Sequence, residues 1–282
     1  MKKYFYLALF ISAILFITVA NADNHPKSVG NLKRMEIPKF CTECHPNPEY
    51  EESIHGKALK DKGLSVVAIC TDCHNIAKDK FLDRRDIPKT CAKCHEGIYN
   101  IYKTSIHGKK LLLGNKDVPV CTDCHGEHTI KSSQDKSSST YSQNIPKTCS
   151  KCHANEKLSK VYRFAARRLS TYQKSYHGIA LKYGKIEVAE CASCHGFHDV
   201  LPSLDPNSSV NIKNIPKTCG VCHSGAGKNF ARGKIHIDPL GEQSGIIFII
   251  NLIYKILIIS MMIGFSVMII LDLFRRLKNK ND

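Results

Sequence analysis

Every cysteine in this chain belongs to one five-residue pattern, Cys-x-x-Cys-His, and no other feature constrains the fold as strongly. The pattern occurs seven times and uses all 14 cysteines. A disulfide framework has no reason to place a histidine after every second cysteine, and zinc sites or thioredoxin-like motifs do not need one. The pattern is typical of covalent c-type haem attachment, in which two thiols bond the haem and the following histidine ligates the iron. We therefore predict seven covalent c-type haems, with zinc or disulfides as the disfavoured alternative.

The motifs define two sets of predicted site residues. The cysteines predicted to bond haem are Cys41, Cys44, Cys70, Cys73, Cys91, Cys94, Cys121, Cys124, Cys149, Cys152, Cys191, Cys194, Cys219 and Cys222. The predicted proximal iron ligands are His45, His74, His95, His125, His153, His195 and His223.

Seven histidines lie outside the motifs, which is the number needed to give every haem a second, distal imidazole. They are His25, His55, His107, His128, His177, His198 and His236. We predict that all seven are distal ligands, with His25 the least secure because it lies close to the start of the mature chain.

The setting of these histidines suggests which haems they serve. His55, His107 and His177 each precede a glycine and stand 14 or 15 residues before the next motif. His128 and His198 follow a proximal histidine by three residues. So short a tether cannot reach the opposite face of the same haem, so each is expected to ligate a neighbouring one.

The segment between residues 23 and 243 reads as a series of modules. Four motifs follow an Ile-Pro-Lys lead-in, and three others lie between them, which gives modules 37–86, 87–144 and 145–214 and a half module 215–243.

Two longer connections between motifs carry their own predictions. The serine-rich residues 131–143 are predicted to be a solvated loop. Residues 155–174 have apolar side chains at helical spacing and are predicted to form one helix. Its basic face could dock an acidic partner or lipid headgroups, but packing on haem propionates is favoured.

Both ends of the chain carry apolar segments. Residues 1–22 resemble a secretory signal that ends at Ala22, with an uncleaved anchor as the alternative. Residues 246–271 contain one charged residue, Lys255, and are long enough to span a bilayer. The basic tail 272–282 places the C-terminus in the cytoplasm by the positive-inside rule. We therefore predict a single-pass protein of the cytoplasmic membrane whose residues 23–243 lie on the periplasmic or outer side.

The net charge of +16 would ordinarily suggest nucleic acid or an anionic membrane as the partner. Loss of Lys2 and Lys3 with the signal leaves +14, and seven haems would bring fourteen propionates. The basic residues are thus interpreted as counter-charge for the cofactors, and no nucleic-acid partner is predicted.

From residue 37 to residue 236 the chain resembles the bis-histidine multihaem c-type cytochromes. The resemblance implies mostly short α-helices and irregular loops around a stack of haems, plus one C-terminal transmembrane helix. With that helix, the chain is similar to the haem c subunit of bacterial membrane-bound quinol:cytochrome c oxidoreductases. It departs from quinol dehydrogenases that have an N-terminal anchor and a Met-ligated first haem, since Met35 is the sole methionine between residues 23 and 243.

The resemblance implies two kinds of partner. One is a quinone-linked redox subunit of the membrane, such as a b-type cytochrome, because the C-terminal apolar segment has no histidine to ligate a b-haem itself. The other is a soluble periplasmic electron carrier. Electron flow in either direction is compatible with the sequence.

We therefore predict an electron-transfer subunit rather than an enzyme. The alternative is a multihaem reductase of a small nitrogen or sulfur oxyanion, which needs one haem with an open iron position. Seven regular motifs and seven further histidines argue against an open site, and the alternative revives if His25 is not a ligand.

Overall fold

The computed structural model describes residues 26, 28–76, 82–230, 236 and 245–279. The predicted signal and His25 lie outside the described residues. Within them the secondary structure consists of helices joined by turns and irregular segments, with no β-strand. The predicted combination of short helices, irregular connections and one C-terminal apolar helix is confirmed for this part of the chain.

Fourteen α-helices are present among the described residues, and we number them in chain order. They are α1 (Ile37–Thr42), α2 (Pro48–Glu52), α3 (Ile54–Lys62), α4 (Cys70–Cys73), α5 (Ile87–Tyr102), α6 (Ile106–Leu112), α7 (Cys121–His125), α8 (Ile145–His153), α9 (Glu156–Tyr162), α10 (Arg168–Gln173), α11 (Tyr176–Lys182), α12 (Cys191–His195), α13 (Ile215–Gly220) and α14 (Ile246–Lys278). The chain divides into two compact units, Met1–Ser139 and Thr140–Asp282.

The Ile-Pro lead-ins are helix starts. In α1, α5, α8 and α13 the proline occupies the first turn. Proline suits this position because its fixed φ is helical and its missing N–H would have no partner there. Each lead-in therefore places the first cysteine of its motif on a helix, and α5 and α8 include the second cysteine as well. The helix α5 is kinked at His95, whose φ and ψ are −109° and 43°.

The helices that carry the His-Gly elements share one N-terminal arrangement. Ser53, Ser105 and Ser175 cap α3, α6 and α11 by accepting a hydrogen bond from the backbone N–H three residues on. That N–H belongs to the glycine after the histidine. A Cβ on Gly56 would lie 2.0 Å from the carbonyl oxygen of Tyr50, and the two equivalent glycines meet the same obstacle. The glycine lets the histidine helix pack against the residues that precede it.

A repeat with a period of 70 residues is present in the middle of the chain. Residues 102–153 correspond to residues 172–223 without an insertion, and the motif cysteines, the His-Gly elements and the lead-ins all coincide. The four-residue segment His-Gly-x-His occurs in both copies with the same backbone conformation, since Gly126 and Gly196 both have a φ near +82°.

The prediction of a solvated loop at residues 131–143 is wrong in part. Ser138 and its repeat equivalent Ser208 are 3% and 2% exposed, and each hydroxyl donates to a backbone carbonyl seven residues earlier. Tyr141 is also buried. The serines are therefore structural: their small hydroxyls satisfy backbone acceptors inside the turn.

The prediction of one helix over residues 155–174 is also wrong. Two helices, α9 and α10, are separated at Arg163, which adopts a left-handed conformation with φ 55° and ψ 41°. The ring of Phe164 packs 5.1 Å from that of His153, and the Ser159 hydroxyl donates to the Phe164 carbonyl. Both contacts form after the end of α9, in a conformation that a continuous helix would not allow.

The C-terminal helix begins where the sequence predicts and extends further. α14 has 33 residues and a mean hydropathy of 2.5 in its most apolar window, so it is long and apolar enough to cross a membrane. It continues seven residues past the predicted end because Arg276 pairs with Asp272 one turn earlier. Basic residues in the last turn also complement the helix dipole.

Candidate haem-binding sites

Four motif histidines each face one of the histidines outside the motifs. The pairs and their ring-centroid separations are His74 and His128 at 5.9 Å, His223 and His177 at 6.0 Å, His195 and His236 at 6.3 Å, and His95 and His55 at 6.4 Å. Every pair lies within one of the two units.

These separations match two imidazoles on opposite sides of one metal ion. A metal–nitrogen distance of about 2.0–2.1 Å, added to roughly 1.1 Å from the nitrogen to the ring centre, places the two centroids about 6.3 Å apart. Aromatic rings in ordinary contact cover a wider range, about 4.5–7 Å. What distinguishes these pairs is their composition, because each joins one motif histidine to one predicted distal histidine.

The pairs follow one rule along the chain. A motif with an Ile-Pro lead-in receives its partner from the preceding His-Gly element, as His95 does from His55. A motif without a lead-in receives its partner from a later segment, as His74 does from His128. His128 thus faces the motif histidine of a different haem site and not His125, in agreement with the tether argument.

Burial and neighbouring histidines favour the neutral form of several of these imidazoles. Burial lowers the pKa of His55, His74, His177 and His195 below the usual histidine value, and a neighbouring histidine lowers each further. A neutral imidazole has a lone pair to offer a metal, whereas a protonated one has none.

The other predicted distal ligands have the same local settings. His107 is the second residue of α6, as His55 and His177 are of α3 and α11. His198 stands 70 residues after His128, and burial lowers its pKa although Asp199 acts in the opposite direction. The prediction for His25 lies outside the described residues.

The sulfur atoms of neighbouring motifs lie side by side. Cys41 is hydrogen-bonded to Cys70, and the pairs Cys91 with Cys121 and Cys149 with Cys191 repeat this contact between first cysteines of successive motifs. All fourteen cysteines are free thiols. Burial raises the pKa of Cys70 to about 11, so this thiol is protonated at neutral pH.

The donor set fits a haem better than a bare metal ion. A structural zinc site needs four protein ligands, and the part of the chain that the structure describes contains no group of three or more His, Cys, Asp or Glu side chains able to hold a metal. Two facing imidazoles alone leave a metal under-coordinated. A porphyrin would supply four further nitrogen ligands to a metal held by such a pair.

The buried apolar residues of the described chain are few, and one cluster among them joins Ile37, Leu59 and Ile69. Large apolar side chains are instead exposed, among them Leu113 at 79% and Leu204 at 91%. Exposed apolar surface is costly in water, so this packing is consistent with a chain whose apolar surface is covered by a bound apolar group.

An arginine near the motifs has an unpaired donor of the kind that a propionate accepts. Arg84 uses both terminal nitrogens on Asp123 and the Val118 carbonyl, yet its Nε is buried and has no hydrogen-bond partner. An unpaired buried N–H costs free energy, which a carboxylate of the cofactor would recover.

A tyrosine that was not predicted as a functional residue belongs to each His-Gly element. The hydroxyls of Tyr50, Tyr102 and Tyr172 donate to the carbonyl oxygens of Ala68, Pro119 and Ala189, each two residues before a motif cysteine, at 2.9, 2.8 and 3.1 Å. Each of these hydrogen bonds joins a His-Gly element to the motif that follows it. Burial raises the pKa of Tyr50 to about 12, so the phenol stays protonated and continues to donate. The recurring spacing Tyr-x-x-Ser-x-His-Gly was the available signal.

Two of the motif helices are capped by an aspartate that also forms an ion pair with an arginine, and the sequence did not predict this arrangement. The Asp72 carboxylate accepts the Ile69 backbone N–H and pairs with Arg34, and Asp123 accepts the Val120 N–H and pairs with Arg84. Each arginine stands three residues before an Ile-Pro lead-in, so the ion pair ties the lead-in of one motif to the helix of the next.

The third motif helix of this kind, α12, is capped without an ion pair. Glu190, 4% exposed, accepts the N–H groups of Ala192 and Ser193 with its own carboxylate.

No protein-family model matches the chain, and no solved structure matches it. The interpretation of the site therefore depends on its own residues and geometry.

Proposed function

We propose that this protein is a heptahaem, bis-histidine c-type cytochrome that carries electrons between a quinone-linked membrane partner and a soluble periplasmic carrier. The observation that carries the proposal is the set of four imidazole pairs, each joining a motif histidine to a predicted distal histidine at 5.9–6.4 Å. A bound c-type haem supplies one-electron redox chemistry at its iron.

The cysteines hold the cofactor covalently. The S–H of each motif thiol adds across one vinyl group, so that sulfur bonds one carbon, hydrogen bonds the other and nothing is released. The two thiols lie one helical turn apart, as in α7 (Cys121–His125), and the next residue is the histidine for the iron.

The paired imidazoles decide what kind of chemistry the site can support. With a neutral histidine on each face, the iron has no position for a substrate, and two imidazoles keep the reduction potential low. This favours electron transfer over a reductase of nitrogen or sulfur oxyanions, which needs an open position.

The apolar helix α14 supports an anchored protein. We propose that it spans the cytoplasmic membrane with the basic C-terminus inside, which leaves the motifs on the periplasmic side where c-type haems are attached. The helix has no histidine, so quinone chemistry would belong to a partner, for which a b-type cytochrome is the first candidate.

Haem stoichiometry is the first test of the proposal. Intact-mass measurement of the membrane-extracted protein should give the chain from residue 23 plus seven haems. A double variant, Cys91→Ser with Cys94→Ser, should lose one haem and keep the other six. A protein that carries zinc or disulfides in place of haem would overturn the proposal.

Electron paramagnetic resonance then separates the two functions. An electron-transfer protein with closed sites should give only low-spin ferric signals. One stoichiometric high-spin signal that shifts on addition of nitrite, hydroxylamine or sulfite would instead support the reductase. Co-purification from membranes with a quinol-reducible b-type cytochrome would identify the partner, and its absence would count against the quinone link.

A further inference from the structure

Thr171 contacts His236, which is the predicted distal ligand nearest in sequence to α14. It lies on α10, is 6% exposed, and its Oγ1 is 3.1 Å from Nδ1 of His236. The same oxygen is 3.0 Å from the carbonyl oxygen of Arg167 and 2.9 Å from that of Arg168.

These three contacts assign the proton positions. A hydroxyl has one proton, and the carbonyl groups of Arg167 and Arg168 can only accept, so the Thr171 hydroxyl donates to one of them. Its lone pair is then left to accept, and the imidazole must supply the proton from Nδ1. The tautomer of His236 that is compatible with this arrangement therefore carries its proton on Nδ1 and has a free lone pair on Nε2.

The ring of His236 faces the motif histidine of the site that it is proposed to complete. It lies nearly parallel to the ring of His195, at 28°, with the centroids 6.3 Å apart.

No serine-capped helix holds His236 in the way that such helices hold His55 and His177. His236 is in a bend, as is His128. Thr171 lies directly before Tyr172, and the residue in the same place before Tyr102 is Ile101, which has no hydroxyl. The Thr171 hydroxyl is therefore particular to this part of the chain and is not shared by the preceding His-Gly element.

We propose that Thr171 is a positioning residue that orients His236 as the distal ligand of the haem on Cys191 and Cys194. This inference rests on the proposed function. Partners that hydrogen-bond a metal-bound histidine fix its tautomer and raise its basicity, and their loss typically weakens metal binding about 10–100-fold.

The test compares Thr171→Val with Thr171→Ser in the full-length holoprotein. Valine keeps the shape of threonine and removes the hydroxyl, whereas serine keeps it. We expect Thr171→Val to convert one low-spin signal into a high-spin signal, or to shift its g values, and to change one midpoint potential. Thr171→Ser should retain the parent spectrum. His236→Ala provides the reference spectrum of the opened site.

Two results would overturn the inference. One is a Thr171→Val spectrum and redox titration identical to the parent while His236→Ala opens a site. The other applies even if the valine variant does not accumulate: nuclear magnetic resonance of the ¹⁵N-histidine-labelled parent should show a Nδ1 proton of His236 protected from solvent exchange, and an unprotonated Nδ1 contradicts the assignment.

The same experiments separate this inference from the proposed function. If the parent itself lacks seven haems or low-spin signals, the proposed function fails. If the parent has seven haems and only low-spin signals, but Thr171→Val and Thr171→Ser give the same spectra, the positioning role of Thr171 is contradicted. The proposed cytochrome function is then unaffected.

Discussion

The glycine that follows the histidine in each His-Gly element is required by a close backbone contact. A Cβ on Gly56 would lie 2.0 Å from the Tyr50 carbonyl oxygen, and backbone cannot move aside as a side chain can. Overpacking of a tight site typically costs about 1–3 kcal/mol. The tyrosine, serine and glycine of the element thus act together to place one imidazole.

We predict that Gly56→Ala displaces α3 and opens the haem site of His95, its partner across 6.4 Å. Electron paramagnetic resonance should show one new high-spin haem, and the midpoint of thermal unfolding should fall. Gly97→Ala is the matched control, since a Cβ there meets no atom within 4 Å and alanine favours the helix. Equal behaviour of the two variants would contradict the role given to the close contact.

A second prediction concerns the Arg84–Asp123 pair. Its side chains are 37% and 34% exposed, so solvent screens the attraction and we expect a coupling free energy of about 0.5–1 kcal/mol. A double-mutant cycle with Arg84→Gln and Asp123→Asn should measure it by denaturant unfolding, because asparagine keeps the cap on the Val120 N–H. The more exposed Arg85–Asp83 pair is the control and should couple less. Equal coupling in the two pairs would contradict the prediction.

At the scale of elements, the motif helices were predictable and the connections were not. Proline lead-ins and Cys-x-x-Cys-His spacing identify α1, α5, α8 and α13 directly from local rules. Residues 155–174 contain neither glycine nor proline, so no local sequence signal predicts that the helix ends at Arg163. The contact of Phe164 with His153 accompanies the break in the helix. A contact of this kind cannot be predicted from the helical spacing of apolar residues.

The break at Arg163 yields a prediction of its own. A residue other than glycine in the left-handed conformation costs about 1 kcal/mol or more. Arg163→Gly should therefore raise the free energy of unfolding by up to about 1 kcal/mol, measured by chemical denaturation. Arg167→Gly is the control, because Arg167 has a negative φ and gains nothing from glycine. A destabilised Arg163→Gly variant would indicate that the arginine side chain matters more than its backbone.

At the scale of the whole molecule, the facing histidines come from different modules. The histidine that faces a motif histidine lies in another module, in both units alike. The number of histidines could be read from the sequence, but their pairing could not, because distance along the chain does not predict which rings face each other. The structure brings four such pairs of rings together.

The pairing of histidines from different modules predicts which haem site a histidine variant would open. His177 is 14 residues before Cys191 but faces His223 of the last motif. We predict that His177→Ala leaves seven haems attached and creates one high-spin signal. Adding Cys219→Ser and Cys222→Ser should remove that signal, whereas removing Cys191 and Cys194 instead should leave it. The reverse outcome would assign His177 to its neighbour in sequence.

The short connection between His236 and α14 has a mechanical consequence. Nine residues lie between His236 and Ile246, and these ten steps of at most about 3.6 Å each cover roughly 36 Å at full extension. From His223 the same path has 23 steps, or about 80 Å at full extension. If the chain binds haem and α14 crosses the membrane as proposed, the connection to the membrane would be attached at the distal ligand of the sixth haem and not at the seventh haem. Tension on the membrane helix would then act first on a coordination bond.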